Sequence, residues 1–182
     1  MAALRQGAQY KVTYASQITG IAPDITTYYV KPPNMRVDQS MGGAPSMSLY
    51  ILNGKSYACM EDESGIGCID ASTIPAVERK AETFASEINA DPIEANQGQF
   101  AISQAASRTV LGITTTCFMA SSDNGNAQTE LCYSPQGVLL YQRTLSTLVD
   151  TGELIESLKQ ATEYSTSVSD SDFVLPAEPQ PA

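Results

Sequence analysis

The chain has 182 residues, 42% of them apolar, enough for one domain with a real core. Its net charge of -10 leaves ten scattered Lys and Arg residues, which excludes the clustered basic surface that nucleic acid phosphates need and disfavours an anionic membrane surface. Histidine is absent, so Ser-His-Asp and Cys-His nucleophile systems, His-based zinc sites and ordinary near-neutral acid/base catalysis are excluded as well.

The first nine residues, MAALRQGAQ, contain no apolar run of signal-peptide length, and nothing downstream reaches membrane-spanning length. Either the protein is cytosolic or its export signal has been removed; the cysteine pattern favours the second, with residues 1–7 disordered or an artificial start on a mature domain. From Gln9 to Thr19, Tyr10, Val12 and Tyr14 alternate with Lys11 and Thr13, the period of a half-buried strand. Gly20 to Asp24 turns the chain, and the β-branched and aromatic run Ile25 to Lys31 is a second strand stopped by Pro32-Pro33. Met35, Val37 and Gln39 resume extension, and Met41 to Pro45 makes a loop.

Met47, Leu49 and Ile51 alternate with Ser48 and Tyr50, which predicts a strand with one buried face. Asn53-Gly54 supplies the φ > 0 pair of a tight hairpin turn, and Lys55 to Cys59 returns. The first 70 residues thus read as an antiparallel meander.

Four cysteines, Cys59, Cys68, Cys117 and Cys132, contain no C-x-x-C pair. Two disulfides are the preferred reading, Cys59 with Cys68 and Cys117 with Cys132, because each pair brackets a polar turn between strand-like segments. Unpaired core thiols and a site of four thiolates are the alternatives. Disulfides imply an oxidising compartment. There is no Asn-x-Ser/Thr sequon.

Ser72-Thr73-Ile74-Pro75 carries a capping hydroxyl and an early proline, and Val77, Ala81, Phe84, Ala85 and Ile88 recur at helical spacing. This predicts an amphipathic helix over 74–88, ended by Asp91-Pro92, with a second short helix over 93–104. Thr109 to Met119 then reads as one long strand, Ser121 to Asn126 as a turn, Thr129 to Tyr133 and Val138 to Arg143 as further strands, and Glu153 to Val168 as mainly strand. Pro176 to Ala182 is a Pro-rich tail or linker stub, so that the domain spans 8–177 and the tail 178–182.

The fold class expected is α+β: a large curved antiparallel sheet, an incomplete barrel, with helices inserted over its concave face. Such a space is either filled by side chains or left open as an apolar pocket. Met35, Val37, Met47, Leu49 and Ile51, with Val77, Phe84 and Ile88 opposite, are the candidate ligand-binding residues; the same stripes would also suit a close-packed core. Asp170 and Asp172 with Ser169 and Ser171, or Glu61-Asp62-Glu63, are acidic turns without the frame of a calcium loop, and no metal or cofactor is expected. S-x-x-K and G-x-S-x-G are absent, and no catalytic residue is assigned.

Tyr29-Val30-Lys31-Pro32-Pro33-Asn34-Met35-Arg36, followed by Leu49 to Tyr57 with its Asn53-Gly54-Lys55 turn, resembles the opening of the LolA-like lipoprotein carriers and of the LppX and LprG type lipoproteins. Gly112-Ile113, Gly137 to Tyr141 and Asp172-Phe173-Val174-Leu175-Pro176 are similar to that family's second half, so the resemblance extends over residues 8 to 177. It implies an incomplete barrel closed by helices, taking acyl chains of lipids or lipoproteins outside the cytoplasm. The carriers place an arginine directly before the Pro-Asn step; this chain has Pro32 there, with Lys31 and Arg36 nearby but facing differently. The function expected is extracytoplasmic binding or transport of a hydrophobic small molecule or acyl chain, in the periplasm or at the cell surface, compatible with a lipid anchor on a preceding region. The alternative is a non-enzymatic envelope interaction module with a filled interior and a protein partner.

Overall fold

The structure, a computed structural model, describes residues 9–41, 46–62, 65–74, 100–123, 125–148 and 150–181. Six strands open the chain: β1 Tyr10–Ile18, β2 Asp24–Lys31, β3 Asn34–Met41, β4 Met47–Leu52, β5 Lys55–Asp62 and β6 Gly65–Asp70. Neighbours from β2 to β6 pair antiparallel, as short connections require. Between β4 and β5, Asn53 and Gly54 have φ of 50° and 82°, the left-handed values of a type I′ turn. Between β2 and β3 the turn is Pro32-Pro33, joined by a cis peptide bond.

The second series is β7 Phe100–Ala105, β8 Thr109–Val110, β9 Ile113–Thr114, β10 Thr116–Ser122, β11 Ala127–Tyr133, β12 Leu139–Thr147 and β13 Leu154–Ser165. A 3-10 turn, Asp170–Phe173, and a short strand, β14 Pro179–Pro181, complete the chain. Among the described residues the strands form an open sheet in the order β14-β6-β5-β4-β3-β2-β1-β13-β12-β11-β10-β7, while β8 and β9 make a separate hairpin. The large antiparallel sheet expected from the strand patterns is present.

The chain divides into two compact units. The described residues of one fall within 9–13, 24–74 and 163–181; those of the other fall within 14–23 and 100–162. In the first, here the β2–β6 unit, Tyr28, Val30, Met35, Val37 and Leu49 are buried on one face, while Tyr50, Cys59 and Cys68 cluster on the other with Leu52, Tyr57, Leu175 and Ala177. In the second, the β10–β13 unit, Leu131 and Tyr133 pack with Ile102, Phe118 and Leu139. The Phe118 and Tyr133 rings meet edge to face at 6.3 Å, an arrangement favoured by the aromatic quadrupole. The Tyr14 hydroxyl donates to the Leu139 carbonyl at 2.6 Å.

Four sequence expectations need comment. The helix over 74–88 lies outside the described residues, except for Ile74, which is not in a helix. The second helix, over 93–104, is corrected where it is described: Phe100–Ala105 is strand β7, paired with β10, and its burial alternates from Phe100 to Ser103. The long strand through Thr109 to Met119 is interrupted, because Leu111 and Gly112 have φ of 52° and 76° and reverse the chain between β8 and β9. The Pro-rich end, read as a disordered tail or linker stub, contains β14, which pairs parallel with Cys68, Ile69 and Asp70 of β6.

Candidate functional site

Strand register assembles the candidate ligand-binding residues on one face of the β2–β6 unit. Val30, Met35 and Ile51 form one cross-strand row; Tyr28, Val37, Leu49, Ala58 and Ile69 form the next; Thr26, Gln39, Met47 and Met60 form the third. Because side chains alternate across a strand, these rows share a face. Exposure rises along it. Val37 and Leu49 are 2% and 3% exposed, Met35 is 7%, Met47 and Ile51 are half-buried, Ile69 reaches 37% and Met60 58%. The apolar face is therefore buried at Met35, Val37 and Leu49 and open at Met60 and Ile69. Val77, Phe84 and Ile88 lie outside the described residues. Met60 was not singled out from the sequence, although its spacing from Ala58 along a strand was the available signal.

The opposite face is not the polar surface that Ser48 and Tyr50 suggested. Tyr50 is 1% exposed. Its row runs Tyr29, Arg36, Tyr50, Tyr57, and the Arg36 guanidinium lies 4.8 Å from the Tyr29 ring centroid and 5.1 Å from that of Tyr50. Arg36 Nε donates to Asp38 Oδ1 at 2.8 Å, two residues along the same strand face. The Lys11 ammonium sits 5.2 Å from the Tyr29 centroid.

Residues 169–181, the C-terminal strap, cross this face. Arg36 Nη1 donates to the Asp172 carbonyl at 3.0 Å, and the Lys31 ammonium donates to Asp170 Oδ1. Lys31 and Arg36 thus hold the same turn. The two aspartates of this acidic turn have structural partners: Asp172 Oδ2 accepts from the Ser169 N–H at 2.8 Å in a reciprocal capping box, and Asp170 meets Lys31. Phe173 is buried, and Leu175 and Ala177 pack against the Tyr50, Cys59 and Cys68 cluster. Burying a phenylalanine stabilises by about 1.5–3 kcal/mol, whereas an exposed ion pair contributes about 0–1 kcal/mol, so apolar packing holds the strap and the charges orient it. The sequence signal for the strap was the Ser169-x-x-Asp172 capping pattern before Phe173.

Burial raises the pKa of the Tyr29 and Tyr50 hydroxyls. Asp38 adds to that rise, and Arg36 opposes it in both. Desolvation works against the charge of Arg36, but the hydrogen bond and charge of Asp38, with both tyrosines, outweigh it and raise its pKa. The guanidinium is a permanent cation in this site.

The structure bonds Cys59 to Cys68 and Cys117 to Cys132. Each pair is directly opposed in register, with Cα atoms 4.1 and 4.0 Å apart, the close spacing of facing residues in an antiparallel ladder. Beside the second, Arg108 places both arms of its guanidinium on Glu130 at 2.8 and 2.9 Å and lies 4.5 Å from the Tyr141 ring centroid. Thr115 closes this loop by donating its hydroxyl to the Arg108 carbonyl at 2.9 Å. Cys117, Glu130 and Cys132 group closely enough for a metal, but the two sulfurs are bonded to each other and offer no thiolate.

No family model matches the sequence, and no curated protein sequence matches it. Solved structures do match in fold. The MucA/MucB complex of Pseudomonas aeruginosa superposes with a TM-score of 0.61 at 12% identity, over 96% of this chain and 58% of that chain. An uncharacterised conserved protein of Thermus thermophilus gives 0.54 at 11%, over 98% and 91%. The Mycobacterium tuberculosis lipoprotein LppX gives 0.50 at 11%, over 92% of both chains. This chain covers 61%, 58% and 56% of the three MucB chains it matches, less than two thirds of their length. At such identities the likeness is one of fold and carries no activity with it. The chain has the fold seen in LppX and in the Thermus thermophilus protein, at a divergent sequence.

Proposed function

We propose that this protein is a non-enzymatic, extracytoplasmic binding protein for a hydrophobic ligand such as the acyl chains of a lipid or lipoprotein, built as one LolA-like domain over residues 8–177. The observation that carries this reading is the graded apolar face, dry at Val37 and Leu49 and open at Met60 and Ile69. Met35, Val37, Met47, Leu49 and Ile51 contact the ligand, and Val77, Phe84 and Ile88 face it from the helix expected over 74–88, inserted above the concave side of an incomplete barrel. Methionines suit this role because the thioether side chain repacks around ligands of different shape. Ten methylenes buried on such a face contribute about 8 kcal/mol before the cost of ordering the chain. Two disulfides support an oxidising compartment. Among the described residues no helix is long and apolar enough to cross a membrane, and the chain has no histidine for acid/base work.

Native mass spectra before and after organic extraction test the proposal. A bound species of several hundred daltons that leaves with solvent supports it; a clean apo mass, unchanged when acyl probes are offered, rejects it. A second reading, a protein-interaction module, is favoured by the likeness to MucB, which is solved in complex with MucA.

A further inference from the structure

We infer that the outer edge of β6, together with Lys31 and Arg36, is a docking site for an extended acidic peptide of a partner protein, and that the chain's own strap occupies this site in the free molecule. This site uses the backbone edge of β6 and the sheet face opposite the graded apolar face, so the inference does not depend on the proposed ligand.

Charge is the first argument. The chain carries 20 acidic and ten basic residues, yet Lys31 and Arg36 both meet the same turn of the strap. That turn supplies Asp170 to Lys31 and a backbone carbonyl to Arg36, followed by a buried Phe173 and by Leu175. The matching peptide therefore has an acidic residue for Lys31, an aromatic residue three positions on, and an aliphatic residue two positions beyond that.

The second argument is the poor fit of β14 as a strand. It pairs with only Cys68, Ile69 and Asp70, and two of its three residues are prolines, which have no N–H. Gln180 is the single β14 residue able to donate to β6. The strand β6 runs from Gly65 to Asp70, so Gly65, Ile66 and Gly67 have no strand on that side among the described residues, and Ile66 is 48% exposed. A partner segment without prolines would pair along the whole of β6 and gain donors that β14 lacks, the usual route of strand addition at a sheet edge. Tethering gives the strap a high effective concentration, which keeps the site closed until a partner offers more contacts.

A fluorescent peptide of residues 169–181, SDSDFVLPAEPQP, titrated into the full chain tests this. Loosening the strap with Phe173→Ala and Leu175→Ala in the protein should tighten peptide binding by about ten-fold or more over the unaltered chain. Replacing both aspartates of the peptide by lysine should weaken that binding by up to about five-fold. No binding to the folded variant, or binding indifferent to that charge reversal, overturns the inference. Hydrogen exchange on the unaltered protein provides a readout that needs no variant. The Gln180 amide should exchange through local opening, about ten-fold or more faster than the amides of Leu49 and Ala58, and equal protection overturns the inference.

Discussion

The β2–β6 and β10–β13 units each contain a disulfide between directly opposed strand residues, an arginine over a tyrosine ring, and a carboxylate paired with that arginine. Their assembly differs. Arg108 comes from a loop that closes on itself at Thr115 and reaches Glu130 only 22 residues away. Arg36 is part of a central strand, and the turn above it is 136 residues away in sequence. A nearby partner costs little loop entropy, while a distant one must be offset by the apolar contacts it brings, here Phe173, Leu175 and Ala177. The same local chemistry is thus self-contained in one unit and serves as an anchor for a remote segment in the other.

The largest effects should come from the disulfides. Replacing either pair by alanine is expected to cost about 2–4 kcal/mol, and chain entropy makes the Cys117–Cys132 pair, which closes 15 residues, costlier by about 0.5 kcal/mol than Cys59–Cys68, which closes 9. Urea denaturation of the two double variants measures this; the reverse order would mean that packing around Cys59 and Cys68 dominates.

Next come the arginines. Arg36→Met and Arg108→Met should each cost about 1–3 kcal/mol, because each leaves a part-buried carboxylate without its cation. Adding Glu130→Gln should recover most of the second cost. Adding Asp38→Asn should recover little of the first, since the Tyr50 ring and the Asp172 carbonyl still lack a partner. Equal recovery in the two double-mutant cycles would remove the distinction between the units.

A smaller effect follows from the tyrosines. The folded protein raises the pKa of Tyr29 and Tyr50, so the stability linked to their protons is full below the ordinary tyrosine value of about 10 and is lost as pH rises through the raised values. Denaturation midpoints should fall on the alkaline side, and Tyr50→Phe should flatten that fall. Phenolate absorbance should show late-ionising tyrosines in the parent that become fewer in the variant. Smallest of all, Lys31→Ala should change stability by less than about 1 kcal/mol, since the Asp170 side chain is 90% exposed; a larger loss in thermal unfolding would show that the charge does more than orient the strap.

Local structure was legible in the residues alone. Period-two alternation located Met35 and Val37 beside Leu49 and Ile51, because one buried face selects apolar residues at every second position. Asn53-Gly54 specified its turn through backbone sterics, and the spacing of the cysteines about polar turns matched the two bonds formed. Long-range packing set the rest. Phe100–Ala105 is a strand because β10 offers it a partner, and a hydrogen-bonded ladder outweighs the weak preferences of six residues. Tyr50 is buried on the face that alternation marked as open, because the strap returns from the far end of the chain to cover it. Propensity and periodicity act between neighbours in sequence, whereas the strap's contacts with Lys31 and Arg36 exist only once the sheet has brought the two ends of the chain together.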